Sequence, residues 1–532
     1  MEPAALSGPA RVVAFLDIGT NSVRLYVVKI SPNLSWTVLT RQKQVVRLGE
    51  GEFGDDSVIQ PAAMDRAVRV CHRFHDLARA HGATEFVAVA TSAIREAVNR
   101  GEILDRLRAE ADLEVHPISG KEEARLTYLG VASGMEVGEG KTLFIDIGGG
   151  STEMVVGDRE RHHLLESLKM GAIRMTALFF SDHDEPIPRT TYARARRFVR
   201  NDMVRALQEV KGFRVEQAIG SSGTIMNLAE IADRQEGRKE GDQSGRLTYA
   251  ALRAVVRDLC NLPLAERKKV PGINPERADI IVGGAVILET LMAELDLPEI
   301  RVSSRGLQDG LLTGYLSRLE EYRAVREMGV RERSVLQLGR SCSIDEAHAV
   351  TTQSLALDLF DSARKIGLHP YGERERELLA HAAYLHDIGK FISYANHHSH
   401  SYYIVRNADL LGFDDTEIAV MAHVVRYHRK KFPGGKSQAF GELDPTSGKV
   451  ARTLAFFLRV AESLDRTHLG LVRNPGFLLS RDGDVILRLR PAGDCQLELW
   501  ALEPHRKAFA SLFDRDLVVV VDRTERGDLA VR

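Results

Sequence analysis

The short sequence Asp17-Ile-Gly-Thr-Asn-Ser22 recurs 129 positions later (residue 146 against residue 17) as Asp146-Ile-Gly-Gly-Gly-Ser151. Both copies share the pattern Asp-Ile-Gly-x-x-Ser, and each lies between two aliphatic runs with strand character. A single copy is most often an ordinary β-hairpin with turn glycines. Two matching copies favour a functional loop over an ordinary turn. They also predict two similar halves that face each other across a cleft.

The residue types of the repeated loop suit a phosphate group and a metal ion. Glycines let the backbone approach a phosphate closely, and N–H groups with a Ser or Thr hydroxyl supply hydrogen-bond donors. The aspartates at the ends of the preceding strands, Asp17 and Asp146, can hold Mg²⁺ directly or through water. The repeat therefore predicts a phosphate site that contains a divalent cation.

Two further clusters follow predicted strands. Gly220-Ser-Ser-Gly-Thr224 opens an apolar helix, where backbone amides and the helix dipole favour an anion, although helix capping alone is an alternative explanation. Thr91-Ser-Ala-Ile-Arg95 places Arg95 one turn into a helix, where a guanidinium can bind a phosphate with two hydrogen bonds. An arginine on a helix is more often simply solvated, so this cluster is weak evidence by itself.

The segment Ser119-Gly-Lys-Glu-Glu-Ala-Arg125 contains the strongest candidate for a catalytic group. Ser119 as N-cap and Glu122 three residues later form a predicted capping box, which explains Glu122 structurally. Glu123 has no such explanation beyond a favourable interaction with the helix dipole. Glu123 is therefore a candidate general base for the water that attacks a terminal phosphorus, with the dipole interaction as the alternative explanation.

The chain alternates strand and helix signals from Arg11 to about Leu316, which is typical of an α/β fold. Helical periodicity then dominates to about Leu469, and strand signals return beyond Asn474, including the run Gln496-Leu-Glu-Leu-Trp500. We predict domains at 11–126, 127–318, 325–472 and 475–532. The strand candidates of the α/β part are Val12 to Leu16, Val23 to Ile30, Phe86 to Ala90, Leu113 to Pro117, Leu143 to Ile147, Met154 to Val156 and Val215 to Ile219.

Composition argues against several classes of protein. Lys and Arg number 72 against 74 Asp and Glu, so no global charge favours nucleic acid or an anionic membrane. The apolar fraction of 44% is ordinary for a globular protein, and no apolar run is long enough to span a bilayer. The four cysteines form no Cys-x-x-Cys pair, and the N-terminus shows no secretion signal. A cytoplasmic protein is expected.

Taken together, these clusters resemble the exopolyphosphatase and guanosine pentaphosphate phosphohydrolase family. That resemblance implies a duplicated actin-like (ribonuclease H-like) ATPase fold, followed by an all-α HD-like domain and a small β-containing C-terminal unit. It also implies a homodimer. The motifs that carry it, in chain order, are Asp17 to Ser22, Thr91 to Arg95, Ser119 to Arg125, Asp146 to Glu153 and Gly220 to Thr224.

The resemblance assigns roles to residues of the predicted cleft. It implies Glu123 as catalytic base, aided by Arg95, and Mg²⁺ near Asp146 and Glu153, with Asp17 as a further candidate ligand. The implied phosphate contacts are Asn21, Ser22, Gly148, Gly149, Ser151, Ser222, Gly223 and Thr224. The expected reaction is release of orthophosphate from the end of inorganic polyphosphate.

Three alternatives remain open. The alarmone pppGpp would use every catalytic part that polyphosphate uses. A kinase of this superfold would need an adenosine pocket, for which the segment Asp279 to Glu289 lies in the expected place. A sensor would bind polyphosphate or a nucleotide without turnover.

The helical part contains His348, the pair His386-Asp387 and Asp465, in the order that HD-type metal phosphohydrolases use to hold one or two divalent ions. Ser343-x-x-Glu346 is a predicted capping box for the helix of His348. Some relatives lack the Asp of the pair and use the domain structurally, so its metal binding and its own catalysis stay open. The additional candidate ligands are His397, His398, His400, His423 and His428.

Basic clusters offer a path for a long polyanion, although most charge runs are only solvated surface. They comprise Arg429-Lys-Lys431 with Lys436, Arg267-Lys-Lys269 and Arg194 to Arg200.

Overall fold

A computed structural model describes residues 9–51, 57–138, 140–159, 161–181, 184–239, 244–319, 328–429, 440–480 and 483–522. The chain divides into two compact units, residues 1–327 and residues 328–532. The four-part division stays a prediction. Among the described helices, none combines the length and apolar character needed to cross a bilayer.

The first half of the first unit is a five-stranded sheet with helices. Its strands are β1 Arg11–Ile18, β2 Ser22–Ile30, β3 Trp36–Val45, β4 Glu85–Ala90 and β5 Val115–Pro117, and its helices are α1 Pro61–Ala80, α2 Ser92–Glu96, α3 Arg100–Ala111 and α4 Gly120–Ala132. The strand order is β3-β2-β1-β4-β5. The first three strands form an antiparallel meander, whereas β4 and β5 run parallel to β1.

The second half repeats this topology. Its strands are β6 Lys141–Ile147, β7 Thr152–Gly157, β8 His162–Leu168, β9 Val215–Ser221, β10 Arg246–Thr248 and β11 Glu299–Val302. The order β8-β7-β6-β9-β11 reproduces that of the first sheet, with β10 added at the edge. Each of the seven predicted strand candidates overlaps a strand of these sheets, although Leu113 and Glu114 precede β5, and the duplicated α/β fold is confirmed.

Helices cover the second sheet as well. They are α5 Ala172–Phe179, α6 Arg189–Lys211, α7 Ser222–Gln235, α8 Tyr249–Cys260, α9 Leu264–Arg267, α10 Ile281–Glu294 and α11 Leu307–Leu316, with a 3-10 turn at Pro275–Arg277. The strands β1, β2, β6 and β7 are almost wholly buried. This explains why they read as continuous aliphatic runs, as strands covered on both faces do.

The last helix of each half packs on the other half. Tyr128 of α4 packs edge to face on Phe144 of β6, with ring centroids 5.1 Å apart. Tyr315 of α11 packs on Phe15 of β1 at 5.7 Å. The predicted boundary after residue 126 lies inside α4, so the helix that follows the first sheet also covers the second.

Glycines allow α4 and α11 to approach closely. A Cβ added at Gly310 would clash with the backbone carbonyl of Leu126, and one at Gly130 would clash with that of Gly306. A backbone neighbour cannot rotate away as a side chain does. The contact between the two halves therefore requires glycine at both positions.

We expect Gly310→Ala to lower the free energy of unfolding by about 2 kcal/mol or more, because the added methyl forces the two helices apart. The control is Gly101→Ala in α3, where the Cβ would meet no atom within 4 Å. That change should leave stability unchanged or raise it by up to about 1 kcal/mol. Thermal and urea unfolding measure both, and equal stability of the two variants would contradict the packing argument.

The second unit joins helices and a small sheet around one hydrophobic core. Its helices are α12 Val330–Ser341, α13 Glu346–Lys365, α14 Glu373–Leu385, α15 His397–Asn407, α16 Asp415–Arg426, α17 Pro445–Leu464, α18 Gln496–Leu502 and α19 His505–Phe513, with a 3-10 turn at Ile388–Phe391. Its strands β12 Val472–Leu479, β13 Val485–Pro491 and β14 Leu517–Val521 pair in that order. Phe457 of α17 packs against Phe477 of β12, so helices and sheet share the core.

Two local predictions in this unit are wrong. The run from Gln496 to Trp500 is helix α18, because its buried residues Glu498 and Leu502 are four apart while Leu497 and Trp500 are exposed. The capping box at Ser343 is also absent from the described structure. The N-cap of α13 is Asp345, whose carboxylate accepts a hydrogen bond from the amide of His348 at 3.2 Å.

Candidate active site

The two repeated loops form the same hairpin turn. The amide of Gly19 donates to the carbonyl of Ser22 at 3.1 Å, and that of Gly148 donates to the carbonyl of Ser151 at 3.0 Å. A Cβ added at Gly149 would lie 3.0 Å from Cβ of Thr20, so the turns of the two halves touch. The sequence repeat therefore places two matching loops against each other at the floor of one cleft.

A cavity of about 1080 Å³ fills this cleft. The predicted site residues that line it are Asp17, Asn21, Ser22, Glu123, Asp146, Gly148, Gly149, Ser151, Ser222 and Gly223. Three other predicted residues, Arg95, Glu153 and Thr224, are not among the residues that line the cavity. Arg95 contacts Glu123 directly, with 2.7 Å from its Nη1 to the carboxylate Oε2. The structure thus brings the predicted loops and the predicted base into one cavity.

The hairpin register decides which side chains neighbour the two aspartates. In the first half, Asp17 on β1 pairs with Arg24 on β2, and Arg24 pairs with Lys43 on β3. In the second half, Asp146 on β6 pairs with Glu153 on β7. The position next to the aspartate therefore carries a cation in one copy and an anion in the other.

Burial and mutual repulsion raise the pKa values of four carboxyl groups here. Burial raises the pKa of Glu123 to about 7, against the lowering effect of Arg95. Burial also raises the pKa of Asp17 to about 6 and, by direction, that of Asp146. The pKa of Glu153 lies well above its ordinary value because of burial and the nearby Glu123 and Asp146. Four close carboxylates make this part of the cleft strongly attractive to cations.

Sequence reasoning missed five cationic residues of the cleft wall, namely Arg24, Lys43, Arg234, Arg277 and Arg305. Burial and the neighbouring arginines lower the pKa of Lys43 to about 8. Burial and Arg24 lower the pKa of Arg277 to about 10. A signal was present for Arg24, because a hairpin closed over residues 19–22 places residue 24 opposite residue 17. Arg277 comes from a distant loop and had no such signal.

The donor set fits a hard divalent cation that keeps part of its water. Asp17 Oδ1 is buried and has no hydrogen-bond partner in the described structure. Asp146 Oδ2 accepts a hydrogen bond from Ser221 Oγ at 2.6 Å. Among the described residues, no three cleft carboxylates bring ligand atoms within 4.8 Å of one another. Such an open arrangement suits Mg²⁺, which binds through one or two carboxylates together with waters and substrate phosphates.

Of the two hydrogen bonds in the capping box predicted for the helix of Glu123, only the one accepted by Ser119 is present. Ser119 Oγ accepts the amide of Glu122 at 3.2 Å. The Glu122 carboxylate pairs with Arg125 at 2.7 Å instead of returning to the N-cap. Glu122 thus has a structural partner away from the cleft, while Glu123 faces the cavity.

In the second unit, the fold brings together His348, the pair His386-Asp387 and Asp465, which come from three distant segments of the sequence. His397 and His428 join them, whereas His423 lies beside Glu442, with 3.5 Å from Nε2 to the carboxylate. His398 and His400 belong to neither described group of candidate ligands.

Arg267, one member of the predicted basic path for a polyanion, is not at the surface. Its side chain is buried, and Nε and Nη2 donate to the carbonyls of Leu259 and Leu262 at 3.2 Å and 3.0 Å. Arg267 therefore organises its loop and offers no surface charge to a polyanion. Lys430, Lys431 and Lys436 lie outside the described residues.

Comparison with known proteins identifies the family. Residues 26–319 match the Ppx/GppA phosphatase family, and residues 330–491 match domain III of the Ppx/GppA phosphatases. The chain belongs to the Ppx/GppA phosphatase family. The predicted relationship is confirmed, and membership makes the chain a phosphatase-type hydrolase.

Relatives within the Ppx/GppA family carry two kinds of name. Guanosine-5'-triphosphate,3'-diphosphate pyrophosphatases of Aeromonas hydrophila and Aeromonas salmonicida are each 28% identical, covering 90% of this chain and 92% of theirs. A crystal structure of an exopolyphosphatase from Cytophaga hutchinsonii aligns with a TM-score of 0.54 and 26% identity, over 58% of this chain and 99% of that one. An exopolyphosphatase-like protein aligns with a TM-score of 0.53 and 28% identity, over 58% and 98%.

The raised pKa of Glu123 predicts a pH-dependent stability difference in protein freed of divalent ions. Stabilisation by protonated Glu123 is fully present below its ordinary pKa of 4.5 and is lost as pH rises through about 7. The wild type should lose stability from pH 5 to pH 8 as Glu123 ionises, whereas Glu123→Gln cannot ionise. The free energy of unfolding of the variant minus that of the wild type should therefore rise by on the order of 2 kcal/mol over this range. Urea unfolding at both pH values measures this gain.

The matched control is Glu122→Gln. Its hydrogen bond with Arg125 lowers the pKa of Glu122, so a rise in pH does not place an unfavourable buried charge there as it does at Glu123. Its stability difference from the wild type should be the same at both pH values. A flat difference for Glu123→Gln as well would contradict the proposed cost of burying that carboxylate.

Proposed function

We propose that this protein is an exopolyphosphatase, which hydrolyses the terminal phosphoanhydride bond of inorganic polyphosphate in the cleft of its first unit. The observation that carries the proposal is Glu123, a buried carboxylate that faces the cavity with a pKa raised to about 7. A general base works best when its pKa lies near the operating pH. Glu123 would take a proton from a water molecule as that water attacks the terminal phosphorus.

The loops would bind the phosphate under attack, and Arg95 would supply positive charge beside the base. The guanidinium of Arg95 lies 2.7 Å from Glu123, so a water held by Glu123 would also lie near a fixed positive charge. The amides of the two hairpin turns and the start of α7 supply donors for phosphate oxygens, and Arg24 and Arg277 supply charge. The bond from phosphorus to the bridging oxygen then breaks, which releases orthophosphate and a chain shortened by one unit.

Asp146 and Asp17 would hold the divalent cation directly or through water, with Glu153 beside Asp146 on the neighbouring strand. When bound, Mg²⁺ supplies charge neutralisation for the phosphate oxygens. The carboxylates of the chain also keep their place without substrate, because Ser221 donates to Asp146 and Ser167 Oγ donates to Glu153 at 2.8 Å.

A second candidate substrate is the alarmone pppGpp. It is supported by the name of the Aeromonas relatives that match 90% of this chain, and by the shape of the cavity. Beyond the phosphate loops the cavity continues along α7, where Met226, Asn227, Ile273 and Pro275 line it. Apolar and amide groups in that extension suit a nucleoside, which a bare polyphosphate lacks.

We expect Glu123→Gln to lower kcat for orthophosphate release by about 100-fold or more, because the amide cannot accept the proton of water. Glu122→Gln should retain activity within about threefold, since its partner Arg125 lies outside the cleft lining. Initial rates with Mg²⁺ on long-chain polyphosphate and on pppGpp test both variants. Full activity of Glu123→Gln would refute the proposed base, and tight binding of either compound without release would favour a sensor.

The substrate choice is tested by filling the cavity extension. Met226→Trp places a large ring beside α7, and we expect kcat/KM for pppGpp to fall by about tenfold or more while tripolyphosphate hydrolysis changes less than threefold. Leu178→Trp, on an exposed position of α5, is the matched control for a surface tryptophan. Equal losses on both substrates would contradict a nucleoside site in this extension.

A further inference from the structure

Helix α2 carries Arg95 but is too short to hold its own position. It spans only Ser92–Glu96, and a helix of about one turn gains little stability from its own backbone hydrogen bonds. Arg95 Nη1 donates to Glu123 Oε2 at 2.7 Å and to the carbonyl of Ile118 at 3.1 Å. The place of the Arg95 guanidinium beside Glu123 therefore depends on the contacts that fix α2 from outside.

Glu96, the residue after Arg95, has both of its carboxylate oxygens engaged. Oε1 accepts a hydrogen bond from Ser92 Oγ at 2.8 Å, within the same helix. Oε2 accepts one from Arg174 Nη2 at 2.9 Å, and the Lys169 ammonium lies 3.5 Å from the same carboxylate oxygen. Arg174 belongs to α5, and Lys169 lies shortly before that helix. Glu96 therefore ties α2 of the first half to α5 of the second half.

Arg174 also holds the second of the two repeated loops. Its Nε donates to the carbonyl of Gly150 at 3.1 Å, while its Nη2 donates to Glu96. A Cβ added at Gly150 would lie only 2.5 Å from Ser92 Oγ, so the loop is in contact with α2 as well. One guanidinium thus joins the repeated loop, α5 and α2.

The ion pair between Glu96 and Arg174 is shielded from solvent. The two side chains are only 10% and 17% exposed. Water and salt screen such a pair less than an exposed one, and removal of one partner leaves the other charge buried without its compensation. The pair therefore favours one position of α2 against the second half.

We propose that Glu96 is a positioning residue that acts through its contact with Arg174. The contact holds α2 in place, and α2 holds Arg95 against Glu123. Neither Glu96 nor Arg174 is among the residues that line the cavity, so each acts through a neighbour. This role rests on the hydrolysis proposed above, because it aligns the proposed base with the loop of Gly150 that would bind phosphate.

Movement of Arg95 would change the pKa of Glu123. Burial raises that pKa to about 7, and Arg95 lowers it through its charge and its hydrogen bond. In Glu96→Gln, loss of a negative charge would by itself lower the pKa of Glu123, whereas movement of Arg95 away from it would raise the pKa. The two effects have opposite signs and can be told apart. The charged groups that face Glu123 are Asp17 of β1, Arg95 of α2, Asp146 of β6 and Glu153 of β7.

A contact that only stabilises the fold is the competing explanation. Glu96→Gln keeps the length of the side chain and can still accept the Ser92 hydroxyl, but it removes the charge that pairs with Arg174. A purely structural contact would lower the melting temperature of this variant and leave the turnover of the folded protein unchanged. A positioning contact would lower turnover at temperatures where the variant is fully folded.

Orthophosphate release from long-chain polyphosphate with Mg²⁺, well below each melting temperature, is the first test. We expect Glu96→Gln to lower kcat by about tenfold with KM changed less than threefold, because misplaced groups around the attacking water slow the reaction. Arg174→Gln should also lower kcat, and the double variant should fall no further than the slower single variant, since both changes remove one contact. The matched control is Glu102→Gln, at an exposed position of α3, which should keep the wild-type rate.

The titration of Glu123 tests the same contact without turnover. In protein freed of divalent ions, the stability difference caused by Glu123→Gln is followed against pH, once in the wild type and once in Glu96→Gln. We expect the midpoint in the Glu96→Gln background to lie about one pH unit higher. Circular dichroism checks each variant, and Glu96→Met replaces Glu96→Gln in both tests if the latter does not fold.

The two tests separate this proposal from the proposed function. Absence of orthophosphate release from the wild type would refute the hydrolysis, and the midpoint of the Glu123 titration would still decide the role of Glu96. A midpoint that is unchanged or lower in Glu96→Gln would overturn the positioning role. So would a kcat within threefold of the wild type, in a protein whose orthophosphate release is lost in Glu123→Gln.

Discussion

The close approach of two identical hairpin turns is the constraint on which the rest of the first unit depends. Each turn ends a buried strand with an aspartate, and the contact of Thr20 with Gly149 brings the two strand ends to one cleft. The crossed packing of α4 and α11 holds that contact, because glycine backbones allow the two helices to touch. The position of every group in the cleft follows from this pairing of the two halves.

The two halves share one topology but differ in the charge of the residue that pairs with each aspartate. Arg24 and Glu153 occupy equivalent positions opposite the two aspartates. At this register position the first half therefore carries a positive charge, and the second half carries a carboxyl group. Burial makes each carboxylate costly until a cation or a proton compensates it.

The second unit likewise brings side chains from distant segments together, although most of them are histidines. Helix ends and a 3-10 turn, instead of strand ends, bring histidines from four segments to one aspartate. Backbone carbonyls contact Nδ1 of His386, His397 and His428, and the carboxylate of Asp465 contacts Nδ1 of His348. The sequence order of His and Asp residues did not indicate these contacts. The phenylalanine cluster that joins Phe457 to Phe477 gives these helices a rigid base shared with the small sheet.

The sequence alone predicted the duplicated fold and one candidate catalytic group. The repeated loop, the strand runs and the adjacent Glu122 and Glu123 determined the duplicated fold and a candidate base, because hairpins, buried strands and capping are local in sequence. Other features depend on contacts between distant segments. The assembly of Arg277 into the cleft wall, the burial of Arg267, the helix at Gln496 and the engagement of Asp465 with His348 came only from the tertiary structure. Burial and hydrogen-bond partners decide charge, pairing and secondary structure at such positions, and neither is encoded in any short stretch of sequence.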